Sequence, residues 1–237
     1  MKAIYIFLFA VLAAGAARAE QVVVLVANSV AMPMADIRDG KLRAGIHLDL
    51  GKALAQKLRR ELVIEVMPRK RLAQTLESGR ADILCTYQPD WLEGRHIWTQ
   101  PFFPQSDLLV TTSSAPRPHA IADVRDRPVG TVLGFAYPEM DRALGAGFVR
   151  SDAQSQVANL DKFRLGRVQH MIIDKAFYDY QVRLGLKAGA HPPLVVKYQL
   201  TRCAVSARSK VPLAEIETAI NQLVREGAIT KILSNYQ

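Results

Sequence analysis

The sequence predicts an α/β protein built as two lobes, each a mostly parallel sheet flanked by helices. Three observations carry this. Strand and helix patterns alternate along the chain, as they do when helices return across parallel strands. The first strand candidate, Gln21–Ala27 (QVVVLVA), is a continuous β-branched apolar run, which a strand covered on both faces requires. Two stretches, LESGRADIL (76–84) and FRLGRVQHMII (163–173), repeat the order helix, Gly-Arg, strand, so each half holds the same unit. Composition agrees: 237 residues, 49% hydrophobic and 22% charged, fit one large or two small globular domains and exclude a disordered, collagen-like or coiled-coil chain.

Residues 1–19 read as a secretory signal peptide. Lys2 opens it, Ala3–Ala14 is an apolar run too short to span a bilayer comfortably, and Ala17-Arg18-Ala19 forms the cleavage site before Glu20. The mature chain is expected to be exported to the periplasm. After Gln21–Ala27 comes a loop over 28–45 with the Asp39-Gly40 turn signal, then a helix over 47–62 with Leu50, Leu54 and Leu58 on one face. A strand follows at 62–67, closed by Pro68, and a short helix at 70–78, with Gly79 suited to its C-terminal cap. Strands are predicted at 81–87 and 107–112. The two prolines of SSAPRPHA (113–120) mark the first passage into the second lobe. Beyond it the pattern reads strand 128–133, helix 152–165, strand 168–174, helix 176–184, strands 195–197 and 202–207. A strongly amphipathic helix at 212–226 carries Ile216, Ala219, Ile220 and Leu223 on one face, and after Gly227 a short helix starts at Thr230.

The chemistry-bearing motifs exclude several classes. His47, His96, His119, His170 and His191 lack metal-ligand spacing, and two cysteines make neither a disulfide scaffold nor a four-Cys zinc site. There is no G-x-S-x-G, phosphate-binding loop or dinucleotide fingerprint, so no cofactor, metal or catalytic constellation is expected. Without Lys2 and Arg18 the net charge of +9 falls to +7. Export argues against nucleic acid as partner, and the basic excess fits either an anionic ligand or plain solvated surface charge.

Several segments, in order, resemble the bacterial extracellular solute-binding proteins, family 3, the amino-acid type of the type II periplasmic binding fold. GKLRAGIHLDLGKALAQKL (40–58) resembles the family's loop and "D-L-x-x-A-L-A" helix. LESGRADIL resembles its "L-x-x-G-x-x-D" turn, TQPFF (99–103) its "S-x-P-Y/F" segment, VGTVLG (129–134) the opening of its second lobe, and 213–233 its closing helices. The resemblance implies lobe 1 over 20–112 and 200–237, lobe 2 over 113–199, two hinge crossings, and closure over a small solute. It implies a monomer that serves an inner-membrane ABC permease or a sensor receptor. A prephenate- or arogenate-dehydratase-like enzyme on the same fold, with Asp174 as general acid, is the rival reading. Departures bear on the ligand. The family's carboxylate-binding Arg corresponds to Leu92, its "G-S/T" to Gly134-Phe135, and the aromatic of its "P-P-F" loop to Met34. Its ammonium-binding Asp is kept as Asp174.

Ligands in open α/β sheets sit beyond the strand C-termini. That nominates Asn28 and Ser29, Arg69 and Arg71, and Tyr87, Gln88, Trp91 and Arg95 from the first lobe, with Phe135, Tyr137 and Asp174 from the second. Arg69, Arg71 or Arg95 would meet an anionic group, unless the basic trio 69–71 is a solvated helix start. Tyr87, Trp91 and Phe135 would cover an apolar part or plug the core. Asp174 would take a cationic donor, or form a hinge-side ion pair. Asn28 and Ser29 would hydrogen-bond ligand or finish a turn. In the fold implied by the resemblance, the strands of Cys85 and Cys203 are neighbours, so the two are either a disulfide or two buried thiols. The expected ligand is small and polar, anionic or zwitterionic.

Overall fold

The computed structural model describes residues 20–187 and 189–236; the signal-peptide expectation for 1–19 lies outside the described residues. In the first lobe, β1 (Gln21–Ala27) leads through a hairpin, β2 (Asp36–Arg38) and β3 (Lys41–Ala44), to α1 (Ile46–Leu58). Then come β4 (Glu61–Met67), α2 (Arg69–Glu77), β5 (Ile83–Tyr87) and the short β6 (Ile97–Trp98). The strand β7 (Phe103–Thr111) crosses into the second lobe, which holds β8 (Pro128–Val132), α3 (Pro138–Leu144), β9 (Val149–Ala153), α4 (Gln156–Arg164), β10 (His170–Asp174) and α5 (Lys175–Arg183). The chain returns along β11 (Leu194–Val205) to α6 (Leu213–Arg225) and α7 (Ala228–Ser234).

The strand order is β4-β1-β5-β11-β7-β10-β8-β9, with β6 also on β11. β1 runs parallel to β4 and β5, and β8 parallel to β9 and β10. β11 is antiparallel to both β5 and β7, and β7 to β10. The lobes are thus parallel at their outer strands and mixed where the chain crosses. β1 shows why its run is continuously apolar. Val22 and Val24 pack against α1 and α6, while Leu25 and Ala27 pack against Leu72 and Leu76 of α2. Successive side chains alternate faces, and helices cover both.

Several expectations differ from the structure. The strand 107–112 was expected in lobe 1, with the first passage at 113–120. In the structure Leu108 and Val110 pack with Leu160, Phe163 and Phe177, and Leu109 with Val124 and Met140, all in the second lobe. Phe103, at the start of the same strand, packs with Val22 and Cys203 of the first lobe, so the first crossing lies within β7, and the two prolines lie in the loop between β7 and β8. Proline reports only that a strand ends there, not which lobe owns it. Strands 195–197 and 202–207 are one 12-residue strand that pairs with β7 in its first part and with β5 and β6 in its last. The helix expected over 152–165 gives its first residues to β9; Ser155 then caps α4 by accepting from the Ala158 N–H at 3.1 Å. α1 ends at Leu58 because Arg59 takes a left-handed conformation (φ 55°) and releases Glu61 to β4.

Cys85 and Cys203 form a disulfide between the adjacent strands β5 and β11. Among the described residues no helix is long and apolar enough to cross a membrane, and no cluster of His, Cys, Asp and Glu is arranged to hold a metal ion.

Candidate functional site

A cavity of about 70 Å³ lies between the lobes at the C-terminal ends of β1, β5 and β10. By the usual measure of about 10–15 Å³ per water, it holds several waters or one small solute. Val26, Ala27, Tyr87 and Arg69 line it from the first lobe; Val132, Phe135, Tyr137, Ile173 and Asp174 line it from the second. Gln105 and Asp107 of the crossing strand β7 form its back wall.

Arg69 is the first residue of α2, where Pro68 starts the helix. Its Nη1 donates to the Tyr87 hydroxyl at 3.1 Å and its Nη2 to the Trp91 carbonyl at 3.5 Å. The guanidinium carbon lies 4.8 Å from the Tyr87 ring centroid and 4.4 Å from that of Phe135. One cation is thus held between aromatic faces from opposite lobes, at about 0.5–2 kcal/mol for each contact depending on desolvation. Burial pushes the Tyr87 hydroxyl pKa up, against the pull of Arg69. Trp91 meets Tyr87 edge to face, centroids 6.4 Å apart. The Tyr137 hydroxyl accepts from the Val132 N–H at 2.9 Å, which pins the loop bearing Phe135.

The opposite wall is acidic. Asp174 ends β10 and caps α5, accepting from the Phe177 N–H at 2.9 Å. Burial pushes its carboxyl up to about 6, with the Phe177 and Ala176 N–H groups and the Gln105 side chain opposing and Asp179 adding to the rise. Asp107 is its direct cross-strand partner. Burial first, then the charge of Asp174, push Asp107 up to about 7, with Lys197 opposing. Both carboxylates are half-buried, and both line the cavity. His47, also on the wall, is held neutral, its pKa lowered to about 4 by burial.

Of the residues nominated from sequence, the structure gathers Arg69, Tyr87, Trp91, Phe135, Tyr137 and Asp174 around one cavity. Arg71 is exposed and outside the lining: two residues past Arg69 on a helix, it points about 200° away. Arg95 is exposed on the loop ahead of β6, also outside the lining. Asn28 is exposed and finishes the turn, its N–H donating to the Met67 carbonyl at 2.9 Å. Ser29 lies beside the cavity lining without entering it, and its buried hydroxyl has no hydrogen-bond partner among the described residues. Gln88 turns to the crossing strand β11, donating to the Leu200 carbonyl at 2.7 Å. Leu92, at the family's Arg position, is buried in the first-lobe core.

Asp107, Gln105, His47 and Thr86 line the cavity without having been nominated. Two polar residues at alternate positions, Gln105 and Asp107, ahead of the apolar Leu108–Val110 were the available signal for the first pair. Thr86 sits at φ 62°, a backbone region that β-branched residues rarely enter. Nothing local in the sequence marks it.

The profile of the "Bacterial extracellular solute-binding proteins, family 3" matches residues 22–237. No curated protein matches the chain. Among solved structures, an ancestral arginine-binding protein bound to arginine superposes with a TM-score of 0.75 at 20% identity, covering 92% of this chain and 99% of that one. The ligand-binding core of GluR0 in complex with L-glutamate gives 0.77 at 17%, covering 94% and 99%. The amino acid ABC transporter substrate-binding protein AbpA from Streptococcus pneumoniae, bound to L-arginine, gives 0.72 at 17%, covering 91% and 94%. At these identities the structural likeness speaks for the fold, and the profile match over nearly the whole described chain speaks for descent. The two-lobed chain, with its paired crossing strands and its interlobe cavity, belongs to the bacterial extracellular solute-binding proteins, family 3.

Proposed function

We propose that this protein captures a small zwitterionic solute reversibly between its lobes and presents it to an ABC-type permease of the inner membrane. The observation that carries the reading is the polarity of the cavity, with Arg69 on one wall and Asp174 and Asp107 on the other. A guanidinium in fixed geometry suits a carboxylate. The acidic wall suits an ammonium and repels a purely anionic guest. Tyr87, Trp91 and Phe135 provide apolar cover between the charges. Ligand contacts from both lobes stabilise the shut state over the open one, so binding energy goes into closure. Relatives described as bound to arginine or glutamate, and one described as serving an amino acid ABC transporter, support this ligand class and partner. Export as a periplasmic monomer follows from the same reading. The secreted chain is expected to begin at Glu20, checked by intact-mass measurement.

The test is a thermal-shift panel of free L-amino acids, dicarboxylates and sugars. At least one amino acid is expected to raise Tm by several degrees. Arg69→Ala is expected to weaken its binding about tenfold or more, the loss of one charge-assisted contact, while Arg71→Ala leaves it unchanged. A panel in which only sugars or simple dicarboxylates bind sinks the reading.

One observation favours a second reading, an acid–base enzyme on the same fold. Asp107 beside Asp174 gives two carboxyls with raised pKa values in one cavity, as general acid–base chemistry uses. Dehydration of a hydroxy acid by the purified protein, lost in Asp174→Asn, supports it; recovery of the bound solute unchanged supports capture.

A further inference from the structure

Resting on the zwitterion reading above, we propose that Asp107 is a second cation-binding carboxylate of the cleft, so that one ammonium group of the guest bridges Asp107 and Asp174. The two are paired across antiparallel strands β7 and β10, which brings their Cβ atoms to about 5 Å on one face. An ammonium carries three donors and spans that gap. Asp174 already spends acceptor capacity on the Phe177 N–H. The side-chain carboxylate of Asp107 accepts no hydrogen bond among the described residues. Lys197, its register partner on β11, is engaged by Glu139 at 2.9 Å. Asp107 therefore faces the cavity with its oxygens uncommitted.

The remaining charges around the pair leave that role open. Arg69 is on the other side of the cavity, held by Tyr87, Trp91 and the Phe135 ring. His47 is neutral. Tyr137 stays protonated, its pKa raised mainly by burial. Behind Asp174, Asp179 is paired with Lys175. Two ionised carboxylates side by side in an enclosed cleft are unfavourable, so in the empty protein the pair holds a proton near neutral pH. The incoming ammonium replaces that proton, which leaves to solvent: one positive charge enters and one departs. Affinity then falls as pH drops below neutral, because the proton competes with the guest.

The experiment uses the mature chain and, as probes, the common L-amino acids, their N-acetyl derivatives and short dicarboxylates. Calorimetry at pH 5.5 and 7.5, in buffers of different ionisation enthalpy, reads affinity and proton release together. The expected result is that a free amino acid binds and its N-acetyl form does not. Wild-type affinity falls about tenfold or more between pH 7.5 and 5.5, and protons are released on binding at neutral pH. Asp107→Asn binds about tenfold or more weakly at pH 7.5, with a flatter pH profile. An Asp107→Asn protein that binds the same amino acid with unchanged affinity overturns the proposal and leaves the zwitterion reading standing. So does wild-type binding without proton release, which needs no variant and is unaffected by any folding defect. If N-acetyl derivatives or dicarboxylates bind wild type and free amino acids do not, the zwitterion reading falls and this proposal with it.

Discussion

Asp107 carries a stability signature that is separate from ligand binding. Its carboxyl sits at about 7 in the folded protein against an ordinary 3.8, so the folded chain holds a proton that the unfolded chain releases. Its contribution to stability is present in full below the unfolded value and is lost as pH rises through 7. A rise of that size is worth at most about 4 kcal/mol, and solvent reaching the partly exposed carboxyl cuts this to about 1–2 kcal/mol. Asp107→Asn is therefore expected to raise the Tm of the ligand-free protein at pH 8 by about 2–8 °C, with little change at pH 4. A variant that melts earlier than wild type at pH 8 contradicts the burial argument. Arg69 sits at the other extreme. Its partners are two rings, a hydroxyl and a carbonyl, so Arg69→Lys keeps the charge and loses the planar stack. That substitution is expected to lower affinity nearly as much as Arg69→Ala.

At the level of strands and helices, two joints carry expected costs. The disulfide Cys85–Cys203 ties β5 to β11 across a sequence separation of 118. Its reduction is expected to destabilise the protein by about 2–5 kcal/mol, chiefly by freeing the unfolded chain, read as a lower urea midpoint with reductant present. In the second lobe, β8 approaches α4 over Gly130. A Cβ there would meet Asn159 Oδ1 at 2.4 Å, and Asn159 is buried with its Nδ2 donating to the Ile172 carbonyl at 3.0 Å. The neighbour is anchored and has little room to yield, so Gly130→Ala is expected to cost about 1–3 kcal/mol, measured by the same urea titration. Most of these elements were legible from local pattern. QVVVLVA shows its covering on both faces. α6 shows its buried stripe Ile216, Ala219, Ile220 and Leu223. The short strand β9 and helix α3 carry no legible pattern, because β9 is mostly exposed and α3 spans only Pro138–Leu144, too short to display a period.

Across the whole molecule, β7 and β11 are the mechanical link. They run antiparallel from one lobe toward the other, and Gln88 ties the end of β5 to β11 at Leu200; in the proposed capture, rotation about this pair would open and close the cavity. Addition of a bound amino acid is expected to reduce the radius of gyration by about 1 Å in small-angle scattering, in keeping with hinge closure; an unchanged profile at saturating ligand means that the cavity is filled without lobe motion. Local periodicity, turn chemistry and motif order were enough to read the α/β alternation, the two lobes and six residues of the cavity lining, Arg69, Tyr87 and Trp91 from one lobe and Phe135, Tyr137 and Asp174 from the other. These are short-range properties, since a residue's neighbours three or four positions away set which face it presents. The boundary between the lobes, the bond between Cys85 and Cys203 and the meeting of Asp107 with Asp174 depended instead on how distant strands register against each other. Register is chosen by the packing of both sheet faces at once, so no window of sequence containing Asp107 alone could reveal that a second carboxylate waits across the ladder.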